Sequence, residues 1–113
     1  MKIKEIEGES FVTLIPVGDL DANSSIEMDE CMERQLNSGV VNFHIDGSEL
    51  QYISSAGLGV FISHLEEIEQ KEGKIVFSGL SQNVQDVFQL LGLDQIVEIF
   101  PSSSDVPNLF ATS

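Results

Sequence analysis

Tyr52-Ile53-Ser54-Ser55-Ala56-Gly57-Leu58-Gly59-Val60-Phe61-Ile62 carries an extended segment into an amphipathic helix through two hydroxyls and a turn of small residues. The first turn of a helix has backbone N–H groups without intrahelical partners and lies at the positive end of the macrodipole. A serine there serves as an N-cap, and a phosphate placed on it is tolerated or stabilised. Gly57 and Gly59 bare the surface beside the hydroxyls, so that another protein's backbone can approach closely. The pattern leaves two readings open: Ser54 or Ser55 as a plain cap, or a serine presented to a modifying enzyme.

Downstream, Leu58, Phe61, Ile62, Leu65 and Ile68 recur at three and four residues and predict one buried helix face ending before Gly73. Glu66, Glu67, Glu69 and Gln70 fall on the wet side, and His64 falls away from the buried face. Residues 74–78 read as a strand. Ser81 then caps a helix carrying Val84, Val87, Phe88 and Leu91 and stopped at Gly92, and residues 96–100 form a last strand closed by Pro101. The tail, residues 102–110, is expected to add a short helix through which Leu109 and Phe110 dock.

Upstream, residues 40–46 have too many apolar positions for an edge strand and belong in the sheet centre. Ser24 and Glu27 have the spacing of a capping box, opening a helix that runs to Leu36 and stops near Gly39. Ile3 and Ile6, then the run 11–17, predict two antiparallel strands turned at Glu7-Gly8-Glu9. The order strand, strand, helix, strand, helix, strand, helix, strand makes a mixed α/β sheet with helices packed on it. A chain of 113 residues is long enough for a single hydrophobic core and is expected to be one domain over 1–113.

Charge and composition narrow the partners. With 19 acidic residues against 5 basic ones, the formal charge of -14 opposes nucleic acid and anionic membrane and favours basic or apolar surfaces. The lone Cys31 sits in a helical pattern with Met28, Met32 and Leu36 and reads as a buried structural thiol, which suits a reducing cytoplasm. No stretch approaches the roughly 20 apolar residues of a membrane span, and the chain reads as soluble and unsecreted.

Several chemistries lack their residues. The segment Ile53-Ser54-Ser55-Ala56-Gly57 has no glycine two positions before Ser55, as the hydrolase elbow G-x-S-x-G requires. His44 and His64 are the only imidazoles, and no Ser/His/Asp set is evident. One cysteine and two scattered histidines offer no metal-ligand spacing, and neither phosphate-binding glycine motif occurs. No metal and no cofactor are expected.

Taken together, Gly18-Asp19-Leu20-Asp21, the strand ending at Asp46, Ile53-Ser54-Ser55-Ala56-Gly57-Leu58-Gly59, and Leu80-Ser81-Gln82-Asn83-Val84 leading to Phe88 and Leu91-Gly92-Leu93 resemble the anti-sigma factor antagonists. These are the single-domain STAS proteins of bacteria. The likeness spans nearly the whole chain, and the block around Ser55 is its most specific part. The resemblance implies a mixed sheet of four to five strands with helices mainly on one side.

It also implies a partner switch rather than an enzyme. The serine at the Ser55 position of such proteins is phosphorylated by an anti-sigma factor that is itself an ATP-dependent serine kinase. The unphosphorylated antagonist binds that kinase and frees a sigma factor, and a PP2C-type phosphatase removes the phosphate. Many members have Asp where this chain has Ser54, which leaves Ser54 as a second, less favoured acceptor. By the same resemblance Asp21 lies near the helix start, either to position the kinase or its metal-bound phosphate, or as a helix charge or cap. The implied partner face comprises Asp19, Asp21 and Asn23 with Ser54, Ser55, Ala56, Gly57, Leu58 and Gly59, together with the exposed side of the following helix. Two other readings use the same turn: a STAS subunit that never carries phosphate and docks on a lipid-transport ATPase, and a small hydrolase pairing Ser55 with His64.

Overall fold

The computed structural model describes residues 1–8 and 11–106. Strand β1 (Lys2–Glu7) pairs antiparallel with β2 (Val12–Leu20), the hairpin expected from the two apolar runs, although Glu9 of its turn lies outside the described residues. Helix α1 (Ser24–Asn37) then crosses to β3 (Asn42–Asp46), which runs parallel to β2. After β4 (Leu50–Ile53), α2 (Ser55–Gln70) leads to β5 (Lys74–Ser78), and α3 (Gln82–Leu90) with a 3-10 turn (Leu93–Gln95) leads to β6 (Glu98–Phe100). The sheet order is β1-β2-β3-β5-β6, so the apolar strand 42–46 is central, as its composition requires.

The described residues hold six strands where four to five were expected. The extra one is β4, whose buried, exposed, exposed, buried pattern lacks the alternation that marks a half-buried strand. It exists because β2 forks. Val12–Leu14 pair with β3; from Gly18 the end of β2 pairs with β4 instead, Gly18 opposite Leu50 and, after a register shift, Asp19 opposite Tyr52 and Leu20 opposite Ile53. Gly18 makes this possible with a φ of 101°, a backbone conformation that side chains disfavour.

Helices α1, α2 and α3 lie on one face. Phe43, Ile45, Ile75 and Phe77 of the central strands share a core with Met28, Met32, Leu58, Phe61, Val84 and Phe88 of the helices. Phe77 receives both Phe61 and Phe88 edge-on at centroid separations of 5.0 Å. Cys31 is buried there, and burial raises its thiol above the ordinary range, as an unreactive structural thiol requires. On the other face, Val76 packs with Val106, Phe11 and Phe100.

Two apolar expectations fail on the helices. Ile62 is exposed and His64 is buried, the reverse of the assignment by periodicity, because α1 packs along α2 and covers the His64 side. His64 is accepted there because its Nε2 lies 2.8 Å from Asp29 Oδ1 of α1. Leu91, placed on the buried face of α3, is 48 % exposed, because α3 ends at Leu90 and the chain turns away at Gly92. Of the expected tail helix, only a 3-10 turn (Ser103–Asp105) and the buried Val106 belong to the described residues; Leu109 and Phe110 lie outside them.

Candidate functional site

The two adjacent serines occupy different environments. Ser54 is the N-cap of α2, in extended conformation (φ -93°, ψ 170°), and its Oγ accepts from the Gly57 N–H at 3.1 Å. The same hydroxyl donates to the Leu20 carbonyl at 3.1 Å, which also receives the Ser54 N–H at 2.9 Å. Ser54 is thus half-buried, with both capacities of its hydroxyl in use. Ser55, the first helical residue, is exposed, and its hydroxyl has no hydrogen bond among the described residues. The N–H groups of Ser55 and Ala56 also lack acceptors among these residues, so the helix start presents donors beside a free hydroxyl.

The glycines divide in the same way. Gly57 is buried, and a Cβ there would meet the Leu20 carbonyl oxygen at 2.8 Å and Ile53 Cγ1 at 3.0 Å. Its bareness therefore lets β2 and β4 approach α2, and the expectation that it opens surface to another protein is corrected. Gly59 differs, since a Cβ there would touch nothing within 4 Å. Leu58 is fully buried and anchors the turn to the core.

The loop before α1 lies beside this turn because Leu20, which receives Ser54, immediately precedes Asp21. Asp21 Oδ1 accepts from the N–H groups of Asn23 at 3.0 Å and Ser24 at 2.9 Å, and from Ser24 Oγ at 3.1 Å. These bonds, the Ser24 N–H first, hold the Asp21 carboxyl below its usual range. Asp21 thus holds the start of α1 from two residues before its N-cap Asn23, whose own side chain makes no capping bond, and the capping box expected between Ser24 and Glu27 does not form. Ser24 Oγ is turned inward to the Asp19 carbonyl at 2.8 Å, and Glu27 pairs with the N-terminal amine at 2.8 Å. Asp19, Asp21 and Asn23 are exposed, as are Ser55 and Ala56.

Periodicity missed exposed apolar side chains on the same elements. Ile26, in the first turn of α1, is 60 % exposed, and Ile62, two turns into α2, is 45 % exposed. Tyr52, opposite Asp19 in the β2–β4 register, is half exposed. The readable signal was Ile26, the one large apolar side chain outside the Met28, Cys31, Met32, Leu36 stripe of its helix.

The other chemistries find no support in the geometry. His64 follows Ser55 by nine residues of continuous helix, about 13 Å along the axis, too far for a nucleophile–base hydrogen bond. His44 is buried between Thr13 Oγ1 at 3.2 Å and Ser78 Oγ at 2.7 Å, and loss of water pushes its pKa down. Among the described residues no group of three or more His, Cys, Asp or Glu side chains is placed to hold a metal ion. No helix among them is long and apolar enough to cross a membrane.

The family model for the STAS domain matches residues 2–106. An anti-sigma-B factor antagonist of Listeria monocytogenes is 32% identical over 100 residues, covering 88% of this chain and 86% of the relative. The unphosphorylated form of the anti-sigma factor antagonist SpoIIAA superposes with a TM-score of 0.86 at 17% identity, covering 99% of this chain and 98% of that one. The phosphorylated form of SpoIIAA from Bacillus gives a TM-score of 0.75 at 16% identity, covering 95% and 97%. At these identities the two structures speak for the fold.

Proposed function

Because the chain belongs to the STAS domain family, we propose that it is an anti-sigma factor antagonist, a regulatory protein that works as a phosphorylation-controlled partner switch. The observation that carries this reading is the contrast at the start of α2, where Ser54 is spent on capping while Ser55 holds a free, exposed hydroxyl. In the unphosphorylated state the face formed by Asp19, Asp21, Asn23, Ser55, Ala56 and Gly59, with Ile26 and Ile62 as apolar anchors, binds an anti-sigma factor that is also a serine kinase. Binding occupies that protein and frees a sigma factor.

The kinase transfers the γ-phosphoryl group of ATP to Ser55 Oγ. The new O–P bond replaces the bond to ADP, and the hydroxyl proton leaves to a base of the kinase. Phosphate adds about -1.5 to -2 charge beside Asp19 and Asp21, on a chain that already carries -14. The helix start accommodates the group within this chain, whereas a docked partner meets its bulk and charge. A few kcal/mol of lost binding, at about 1.4 kcal/mol per tenfold, is enough to disengage the partner without a change of fold. A PP2C-type phosphatase then hydrolyses the phosphoester and restores the hydroxyl. In this cycle the chain is the substrate of the kinase and of the phosphatase.

Peptide mass spectrometry of the protein from its own cells tests the assignment. Phosphate is expected on Ser55, and Ser55→Asp is expected to weaken binding to the cognate kinase by at least about tenfold. Tight binding by that variant, or absence of phosphate with a transporter ATPase co-purifying, overturns the switch in favour of a constitutive docking subunit.

A further inference from the structure

Exposed apolar side chains also gather at the end of the molecule farthest from Ser55, where α2 ends, β5 begins and α3 runs into its 3-10 turn. Leu90 is 83 % exposed and Ile96 61 %, and Leu91 stands beside Leu90 at the end of α3. A groove of about 270 Å³ opens at the same end, with Leu65, Ile68, Ile75 and Val97 lining it and Ile96 at its edge. Glu69 and Glu98 stand on its rim, and Glu72 and Asp94 occupy the neighbouring turns, where Lys71 beside Glu72 is already paired with Glu67 at 2.9 Å. The one basic residue of that lining, Lys74, has its ammonium paired with the Glu98 carboxylate. Large apolar residues exposed together beside a groove mark a contact surface.

Charge decides what fits it. A second copy would set these carboxylates against themselves, with -14 on each chain, and nucleic acid or anionic lipid brings the same sign again. We propose that this end is a second docking face, which takes a segment of another protein whose large apolar side chains are flanked by Lys or Arg, as on one face of a basic amphipathic helix. Apolar side chains fill the groove and cover Ile96, while the flanking cations meet Glu69, Glu72 and Asp94. Ser55 and Glu69 are separated by about 21 Å of α2, well beyond the roughly 8 Å over which physiological salt screens exposed charges. A partner held here therefore stays bound whether or not Ser55 carries phosphate, and the chain can be tethered at one end while it switches at the other.

Titration of isotopically labelled protein with a synthetic Lys/Leu amphipathic helical peptide at physiological salt, followed by amide NMR, tests the face. Saturable shifts are expected at Glu69, Lys74, Ile96 and Glu98, equal in Ser55→Glu protein, and weakened about tenfold in the exposed double variant Leu90→Ser/Ile96→Ser. A peptide with Leu replaced by Ser is expected to give none of them. Shifts spread over α1 and α2 without saturation, equal shifts from the Leu-free peptide, or self-association abolished by Ile96→Ser overturn the proposal. Each of these outcomes leaves the Ser55 switch standing, since that rests on kinase binding and phosphate at the other end.

Discussion

Replacing Ser54 with Ala removes the acceptor of the Gly57 N–H and the hydroxyl donor to Leu20, and is expected to cost about 1 kcal/mol of unfolding free energy in a denaturant titration. Ser55→Ala breaks no hydrogen bond among the described residues and is expected to leave the midpoint within about 0.5 kcal/mol while abolishing phosphorylation. The glycines separate in the same titration. Gly57→Ala drives a methyl into the Leu20 carbonyl and is expected to destabilise by about 1–3 kcal/mol. Gly59→Ala places its methyl in open space and is expected to stabilise by up to about 1 kcal/mol through helix propensity, and to weaken binding of the kinase proposed above. In the sequence these four residues read as one small-residue turn. Their division into internal and outward-facing positions depends on Leu20, which lies thirty-four residues from Ser54 along the chain.

Helices and strands were legible where one face of each meets one environment. The amphipathic pattern of α1, the cap at Ser81 and the apolar β3 all answer to a single buried side, and the structure keeps them. Legibility fails where an element meets two neighbours. The β4 strand exists only because β2 changes partner at Gly18, and the buried arc of α2 is shifted by α1 lying against it. The His64–Asp29 pair joins those two helices, with a His64 side chain 9% exposed against 43% for Asp29. Asp29→Ala leaves that imidazole nitrogen without its partner and is expected to cost about 1–3 kcal/mol in thermal or denaturant unfolding. Asp29→Asn, which keeps an acceptor, is expected to cost less.

Across the whole molecule, acidification works on two opposed quantities. Protonating carboxylates relieves the self-repulsion of a chain carrying -14, which favours the compact state. His44 acts the other way. Burial holds its folded pKa below the ordinary value of 6.5, so the unfolded chain binds the proton first. The stability this group contributes is present above 6.5 and is lost as pH falls toward the depressed folded value. The difference in unfolding free energy between the wild type and His44→Gln is therefore expected to shrink as pH is lowered through and below 6.5, and a pH-independent difference would refute the assignment. Asp21 contributes in the same sense at lower pH, because its depressed carboxyl loses its capping bonds once protonated. The site was least legible at this scale: the residues alone show Asp19, Asp21 and the serines as separate motifs, the family resemblance sets them on one face, and the forked sheet gives the physical reason that they lie side by side.

That fork has a kinetic consequence. The Ser54 amide is bonded to Leu20 of β2, a strand flanked on both sides in the sheet, whereas the Ser55 amide has no acceptor among the described residues. Hydrogen exchange should therefore change abruptly between two consecutive residues, slow enough at Ser54 to report unfolding of the sheet and near the free-peptide rate at Ser55. If Ser55 is the phosphoacceptor proposed above, a hydroxyl held on so firm a support does not have to be folded into shape by the partner that takes it. Its association rate should then depend on encounter and charge, and respond to salt far more than to mutations that loosen the core.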